Sequence, residues 1–266
     1  MRRFLVLIVL LAGCARQTAE HQRAVLGGSP DTAHAGVVAV LLMRGPIVAD
    51  VCTGLLISPR IVATAAHCAF GKAPTSISVR IGASITSADQ TLTPTSVTIY
   101  PRFAGLAADA REANDLAILL LPQDANATPL AYDHDGATVS TARLVGFGVA
   151  DPDAATSSGT RRFADVSPSI ACDRLLSIAT STACSGDSGA PLLDASDKAI
   201  AIISFGSSEP CGAPAYALRL APFAAWLDTI VAGNPDSQCA STCPPAQTSC
   251  LPGPPPDQGG GCSVVF

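Results

Sequence analysis

Charge is scarce in this sequence: only 14% of its 266 residues are Asp, Glu, Lys or Arg, and the acidic ones are scattered rather than blocked. With a formal net charge of -5 there is no basic stripe to neutralise phosphates and no polybasic segment to hold anionic lipid, which argues against nucleic acid as a partner. Long hydrophobic runs are equally scarce. The apolar run from Phe4 to Ala12 is too short to span a bilayer, and no other uninterrupted apolar stretch is longer. No long segment carries a helical period that could supply βαβ crossovers, so a parallel sheet is disfavoured. Histidine occurs four times, and no cysteine pair has zinc-site spacing with a histidine partner. What remains is 48% hydrophobic sequence, enough for a substantial core in one or two compact units.

The first residues have the layout of an export signal: Arg2 and Arg3, the apolar run, then small residues before a cysteine. Leu11-Ala12-Gly13-Cys14 resembles the lipobox of bacterial lipoproteins, which implies acylation at Cys14 and a periplasmic or cell-surface protein held to a membrane by its lipid. The alternative is an ordinary signal cleaved after Ala15. Ten cysteines in an exported chain point to disulfides rather than catalytic thiols. If Cys14 is acylated, nine remain, an odd number that leaves at least one without an intrachain partner.

From Gly36 to about Ile203 short runs of Val, Ile, Leu and Thr alternate with Gly, Pro, Asp and Ser. Val37 to Leu42, Leu55 to Ile57, Ile61 to Thr64, Ile77 to Ile81, Leu116 to Leu121, Leu144 to Phe147 and Ala199 to Ile203 are the clearest, and this punctuation predicts an all-β sandwich or barrel. One helix is predicted, Ala221 to Val231, with Phe223, Trp226, Leu227, Ile230 and Val231 on one face and Gly233 and Pro235 as its stop. Beyond it the composition turns to proline, glycine and cysteine, which cannot bury a core of its own. The expected organisation is a signal over 1–13, a short linker or propeptide over 14–24, a folded domain over 25–232 and a tail over 233–266.

Three segments carry chemistry: Thr64-Ala65-Ala66-His67-Cys68, Asn114-Asp115-Leu116-Ala117-Ile118-Leu119 and Cys184-Ser185-Gly186-Asp187-Ser188-Gly189-Ala190-Pro191. A serine hydroxyl is a poor nucleophile until a base takes its proton, and a neutral imidazole serves as that base when a buried carboxylate fixes its tautomer and stabilises the cation that forms. Each residue also has a plain reading: His67 a core imidazole beside a disulfide, Asp115 a cap before a buried strand, Ser188 a turn hydroxyl. Taken together and in this order, the segments resemble the signatures of the chymotrypsin (trypsin-like) serine protease family over residues 25 to 232.

That resemblance implies two packed six-stranded antiparallel β-barrels with a C-terminal helix and a cleft between them. It implies His67, Asp115 and Ser188 as catalytic triad, the backbone N–H groups of Gly186 and Ser188 as oxyanion hole, and disulfides Cys52–Cys68 and Cys184–Cys211. Ser204-Phe205-Gly206 resembles the Ser-Trp-Gly strand that binds the substrate backbone, and Gly146-Phe147-Gly148 a Gly-Trp-Gly segment, each with Phe for Trp. Thr182, Gly206 and Ala215 correspond to the primary pocket. They include no carboxylate, so a small or medium apolar residue before the scissile bond is expected. Val25-Leu26-Gly27-Gly28 is similar to the family's mature start, whose freed α-amine pairs with the aspartate before the nucleophile, here Asp187. Ala24 departs from the basic residue found there in trypsin-activated relatives. Residues 71–81, where some relatives bind calcium, hold no acidic residue, so neither metal nor cofactor is expected. Cys172 lacks the nearby downstream partner of its relatives, which leaves a tail cysteine as candidate. The expected partner is a protein or peptide substrate, met by a monomer. The rival reading is a catalytically silent binding module of the same fold.

Overall fold

The computed structural model describes residues 25, 28–105, 114–136, 139–151, 157–180, 182–206, 211 and 214–233; the signal, Cys14 and the tail with Cys239, Cys243, Cys250 and Cys262 lie outside them. In chain order the strands are β1 (Ser29–Pro30), β2 (Val37–Arg44), β3 (Ile47–Ser58), β4 (Ile61–Thr64), β5 (Ile77–Ile81), β6 (Gln90–Leu92), β7 (Ser96–Ile99), β8 (Ala117–Leu120), β9 (Ala142–Gly146), β10 (Arg162–Val166), β11 (Pro168–Cys172), β12 (Leu175–Ile178), β13 (Pro191–Leu193), β14 (Ala199–Gly206) and β15 (Ala215–Arg219). Helix α1 is Ala66–Ala69 and α2 is Ala224–Val231.

The strands form two curled antiparallel sheets, the half-barrels of a chymotrypsin-like fold. The first runs β6-β5-β2-β3-β4-β8-β7 and the second β1-β10-β9-β13-β14-β15-β12-β11. Seven and eight strands stand where six and six were expected, because pieces as short as the two-residue β1 join the sheets.

Side chains alternate across a strand, and β2 shows why its sequence is apolar without interruption. Val38 and Val40 point into the first barrel, with Leu56, Val62, Ala117 and Leu119. Val37, Ala39 and Leu41 point the other way, into a core shared with Leu55, Ala63 and Ile118, with Val145, Ile202 and Leu218 of the second sheet, and with Phe223, Trp226 and Leu227. Strands buried on both faces read as continuous hydrophobic runs, and each such Val, Leu or Ile contributes about 1.5–3 kcal/mol by leaving water. The second barrel has its own core around Leu144, Ile178, Leu192 and Ala201.

The predicted helix begins as a 3₁₀ turn, Ala221–Phe223, with Pro222 in its first turn, and continues as α2. Gly233 ends it at φ +90, a conformation that costs glycine little. Tyr100 packs edge-on against Phe223 and Trp226, with ring centroids 5.0 and 5.2 Å away, which fixes the helix to the first barrel. Arg161 links the barrels: within the second its Nε donates to the buried Asp31 Oδ2 at 2.8 Å, and its Nη1 reaches the first by donating to the carbonyls of Val37 and Gly82 at 3.2 and 3.0 Å. Asp31 also accepts from His34. A buried guanidinium is tolerable only with partners of this kind.

Candidate functional site

Strand register brings the three candidate segments to one edge. Thr64, the last residue of β4, pairs with Ala117, the first of β8. His67, three residues beyond Thr64, and Asp115, two before Ala117, therefore leave the sheet at the same end. On the other barrel Gly189 N–H donates to the Ile203 carbonyl at 2.7 Å, and Ile203 N–H to that of Ala190 at 2.8 Å, which sets Ser188 beside the end of β14. Across the cleft Thr53 N–H of β3 donates to the Ser188 carbonyl at 2.8 Å.

Asp115 is almost wholly buried and its carboxylate accepts three hydrogen bonds. His67 Nδ1 donates to Oδ2 at 2.7 Å and His67 N–H to Oδ1 at 2.9 Å, while the Ser204 hydroxyl donates to Oδ2 at 2.6 Å. Burial pushes this carboxyl up, but the His67 charge and the hydrogen bonds of His67 and Ser204 outweigh it and hold the group below the ordinary carboxylate range. The group thus stays ionised at neutral pH. With the proton on Nδ1, the lone pair of the His67 ring lies on Nε2, the tautomer a general base requires. Arg174, buried in the turn between β11 and β12, steadies this corner by donating to Asn114 Oδ1 at 2.7 Å.

The register of β14 against β15 shifts between Ile203 and Phe205, so Ser204 sits in a bulge, a device that re-aims a side chain. Its hydroxyl thereby reaches Asp115. The resemblance implies for Ser204 only a place in the substrate-binding strand; pairing register, which sequence does not show, brings its hydroxyl to Asp115. Phe205 stacks on Tyr216 with centroids 4.9 Å apart and planes 25° from parallel.

The loop before Ser188 is shaped by glycines. Gly186 at φ +97 and Gly189 at φ +83 occupy left-handed conformations, and a Cβ on Gly189 would lie 2.2 Å from the Thr53 carbonyl oxygen. Gly146 and Gly148 make room for Asp187: a Cβ on either would come within 2.4 Å of its carboxylate atoms. Asp187 is fully buried and accepts from Gly148 N–H at 2.9 Å and Cys184 N–H at 3.0 Å. Among the described residues no cation pairs with it. Burial therefore dominates, offset in part by the Cys184 and Gly148 bonds, and its pKa is raised to about 7. Val25 is fully buried near this loop, packed in the cluster that holds Ala183, Ala190 and Leu192.

The raised Asp187 value has a measurable consequence. Asp187 keeps its proton in the folded chain between the ordinary aspartate value of 3.8 and about 7, where the unfolded chain has lost it, so this group's contribution to stability is full at the low end of that window and is lost as pH rises through it. Across the whole window the loss is roughly 4 kcal/mol. Denaturant titrations of the uncleaved chain at pH 4.5 and 8 should show this loss, and Asp187→Asn should abolish that part of the pH dependence. Equal slopes in the two proteins would contradict it.

Cys52–Cys68 and Cys184–Cys211 are disulfides, as the resemblance implies. Cys172 is disulfide-bonded as well, to a partner outside the described residues. Cys52, His67 and Cys68 cluster closely enough to hold an ion, but both sulfurs are committed to each other. Thr182 is half-buried and its hydroxyl lies 2.7 Å from that of Thr180. Ala215 is buried and pairs with Gly206 across β14 and β15. The structure thus brings His67, Asp115, Ser204 and the Ser188 loop together where the two barrels meet; residues 207–210, between Gly206 and Cys211, lie outside the described residues.

A profile of the trypsin family matches residues 25–227. A search of curated proteins finds no match. Among solved structures the chain is similar to an inactivated protease paralogue of the scabies mite, S-D1, at 18% identity and TM-score 0.68 over 78% of this chain and 97% of that one. It is also similar to neuropsin, a serine protease of mouse brain, at 22% identity and TM-score 0.65 over 76% and 98%. The VesB protease of Vibrio cholerae follows at 21% identity and TM-score 0.61 over 76% and 66%. At these identities the structures establish the fold, and since one of them is an inactivated paralogue, activity has to be argued from the site.

Proposed function

The chain belongs to the trypsin family of serine proteases, and from that premise we propose that it is an active endopeptidase that hydrolyses peptide bonds through an acyl-enzyme on Ser188. The observation that carries this reading is the hydrogen bond from His67 Nδ1 to the buried Asp115 carboxylate at 2.7 Å, beside the loop that bears Ser188. In the proposed reaction Ser188 Oγ attacks the scissile carbonyl as His67 Nε2 takes its proton. The Gly186 and Ser188 N–H groups stabilise the oxyanion. His67 then protonates the leaving amine and, in the second half, takes a proton from the water that hydrolyses the ester. Ser204, Phe205 and Gly206 hold the substrate backbone.

Thr182, Gly206 and Ala215 line the primary pocket in this reading. A cation there would find no carboxylate among them, and unpaired buried charge is costly. Peptide amides with Ala, Val or Leu before the scissile bond should be cleaved with kcat/KM at least about tenfold above their Lys and Arg counterparts. A preference for the basic residues would contradict the pocket assignment.

We place the protein outside the cytoplasm, acylated at Cys14, as a monomer that meets protein or peptide substrates. Cleavage before Val25 would free an α-amine whose charge suits the buried Asp187 carboxylate, and would also detach the protease from its anchor. The rival, a silent binding module, draws on the inactivated mite paralogue. A binding role requires no charged carboxylate beneath His67, however. Mass spectrometry of the protein quenched during turnover of a p-nitrophenyl ester tests the proposal: an acyl adduct on Ser188 supports it, and turnover without one would contradict it.

A further inference from the structure

We propose that Thr53 is a positioning residue that holds the oxyanion loop in its working shape, an inference that rests on the peptidase reading above. Thr53 lies on β3 of the first barrel and is fully buried. Its hydroxyl donates to the Gly186 carbonyl at 2.8 Å and accepts from Phe147 N–H at 3.1 Å, so its one donor and one of its two acceptor sites are used on the other barrel. Its own N–H donates to the Ser188 carbonyl at 2.8 Å, and its carbonyl accepts from the Thr64 hydroxyl at 2.7 Å. One residue therefore grips the loop on both sides of Asp187, at Gly186 and at Ser188. The disulfide of its neighbour Cys52 to Cys68 ties the same strand to the turn bearing His67.

Peptide planarity converts this grip into an orientation. In a trans peptide the N–H points opposite to the C=O. The Ser185 carbonyl is engaged by Val149 N–H at 2.7 Å, so the Gly186 N–H of the same peptide is directed away from Val149. The next peptide is fixed by Thr53 at its carbonyl and by Asp187 N–H donating to the Cys184 carbonyl at 2.9 Å at its other end. Two consecutive peptide planes are set, the second of them by a side chain from the opposite barrel, and the Gly186 N–H belongs to the first.

The test compares Thr53→Val, which keeps the shape and removes the hydroxyl, Thr53→Ala, which removes both, and Thr53→Ser, which keeps the hydroxyl. Amide hydrogen exchange is read on peptides covering 146–149 and 184–190 of the full chain, beside the kinetics. In the Val and Ala variants exchange in those two segments should rise at least about tenfold while β2 and β8 stay as in wild type. Peptide hydrolysis should lose about ten- to a hundredfold in kcat with KM within about twofold, part of what a lost oxyanion donor costs. Thr53→Ser should match wild type in both. Unchanged exchange in a folded Val or Ala variant overturns the proposal, as does equal loosening by Ser. Loss of the whole fold in both deletions would assign Thr53 to the core and overturn it too. A wild type verified to begin at Val25 that hydrolyses nothing would sink the peptidase reading, while the exchange measurement would still decide whether Thr53 braces the loop.

Discussion

Ser188→Ala should lower kcat for peptide hydrolysis by about 10⁶-fold, because nucleophile and base act as a unit and the loss of either removes the acyl-enzyme route. What remains is the binding and oxyanion contribution, which does not depend on the hydroxyl. The substitution should leave the fold intact. The contact from Thr53 N–H to residue 188 is to its backbone carbonyl, and the neighbouring ladder bonds run through Gly189 and Ala190, so all survive the change. Unfolding free energy should therefore stay within about 0.5 kcal/mol of wild type. Kinetics and denaturant melts on the same preparations check both halves.

Asp115→Asn should cost about 10⁴-fold in kcat with little change in KM, since the geometry survives and the tautomer does not. Oδ1 of Asp115 faces the His67 backbone N–H, a donor that cannot change role, whereas Oδ2 faces the His67 ring and the Ser204 hydroxyl, which can. An asparagine therefore turns its oxygen to the backbone and its NH₂ to the ring. Nδ1 must then accept, the proton moves to Nε2, and the ring can no longer take one from Ser188. Ser204→Ala, which removes one of three bonds to the carboxylate, should cost far less. Equal losses for the two variants would show that the carboxylate works through its packing and not through the imidazole tautomer.

Much of this was readable from the chain, for physical reasons. Val37–Leu42 and Ile61–Ala63 are apolar without a break because both faces of β2 and β4 are buried, and that pattern survives in sequence alone. The segments around His67, Asp115 and Ser188 stand out in the sequence by their residue types and order, and strand register and backbone hydrogen bonds bring them together where the barrels meet. The partners that tune them were not. Ser204 reaches Asp115 only because a register shift re-aims it. The tie between Thr53 and Gly186 crosses 133 positions, and that between Asp31 and Arg161 crosses 130, without any local signature. The two glycines around Phe147 read as a family segment, but their reason, space for the Asp187 carboxylate, needs three dimensions.

The most direct test of the central claim is covalent labelling of purified protein by a fluorophosphonate, with wild type beside Ser188→Ala and with the N-terminus of each preparation sequenced. An activated serine hydroxyl predicts one label per wild-type chain, attached at Ser188 and absent from the alanine variant. Protein verified to begin at Val25, correctly folded and yet unlabelled, would contradict the account and leave a binding module on a protease fold.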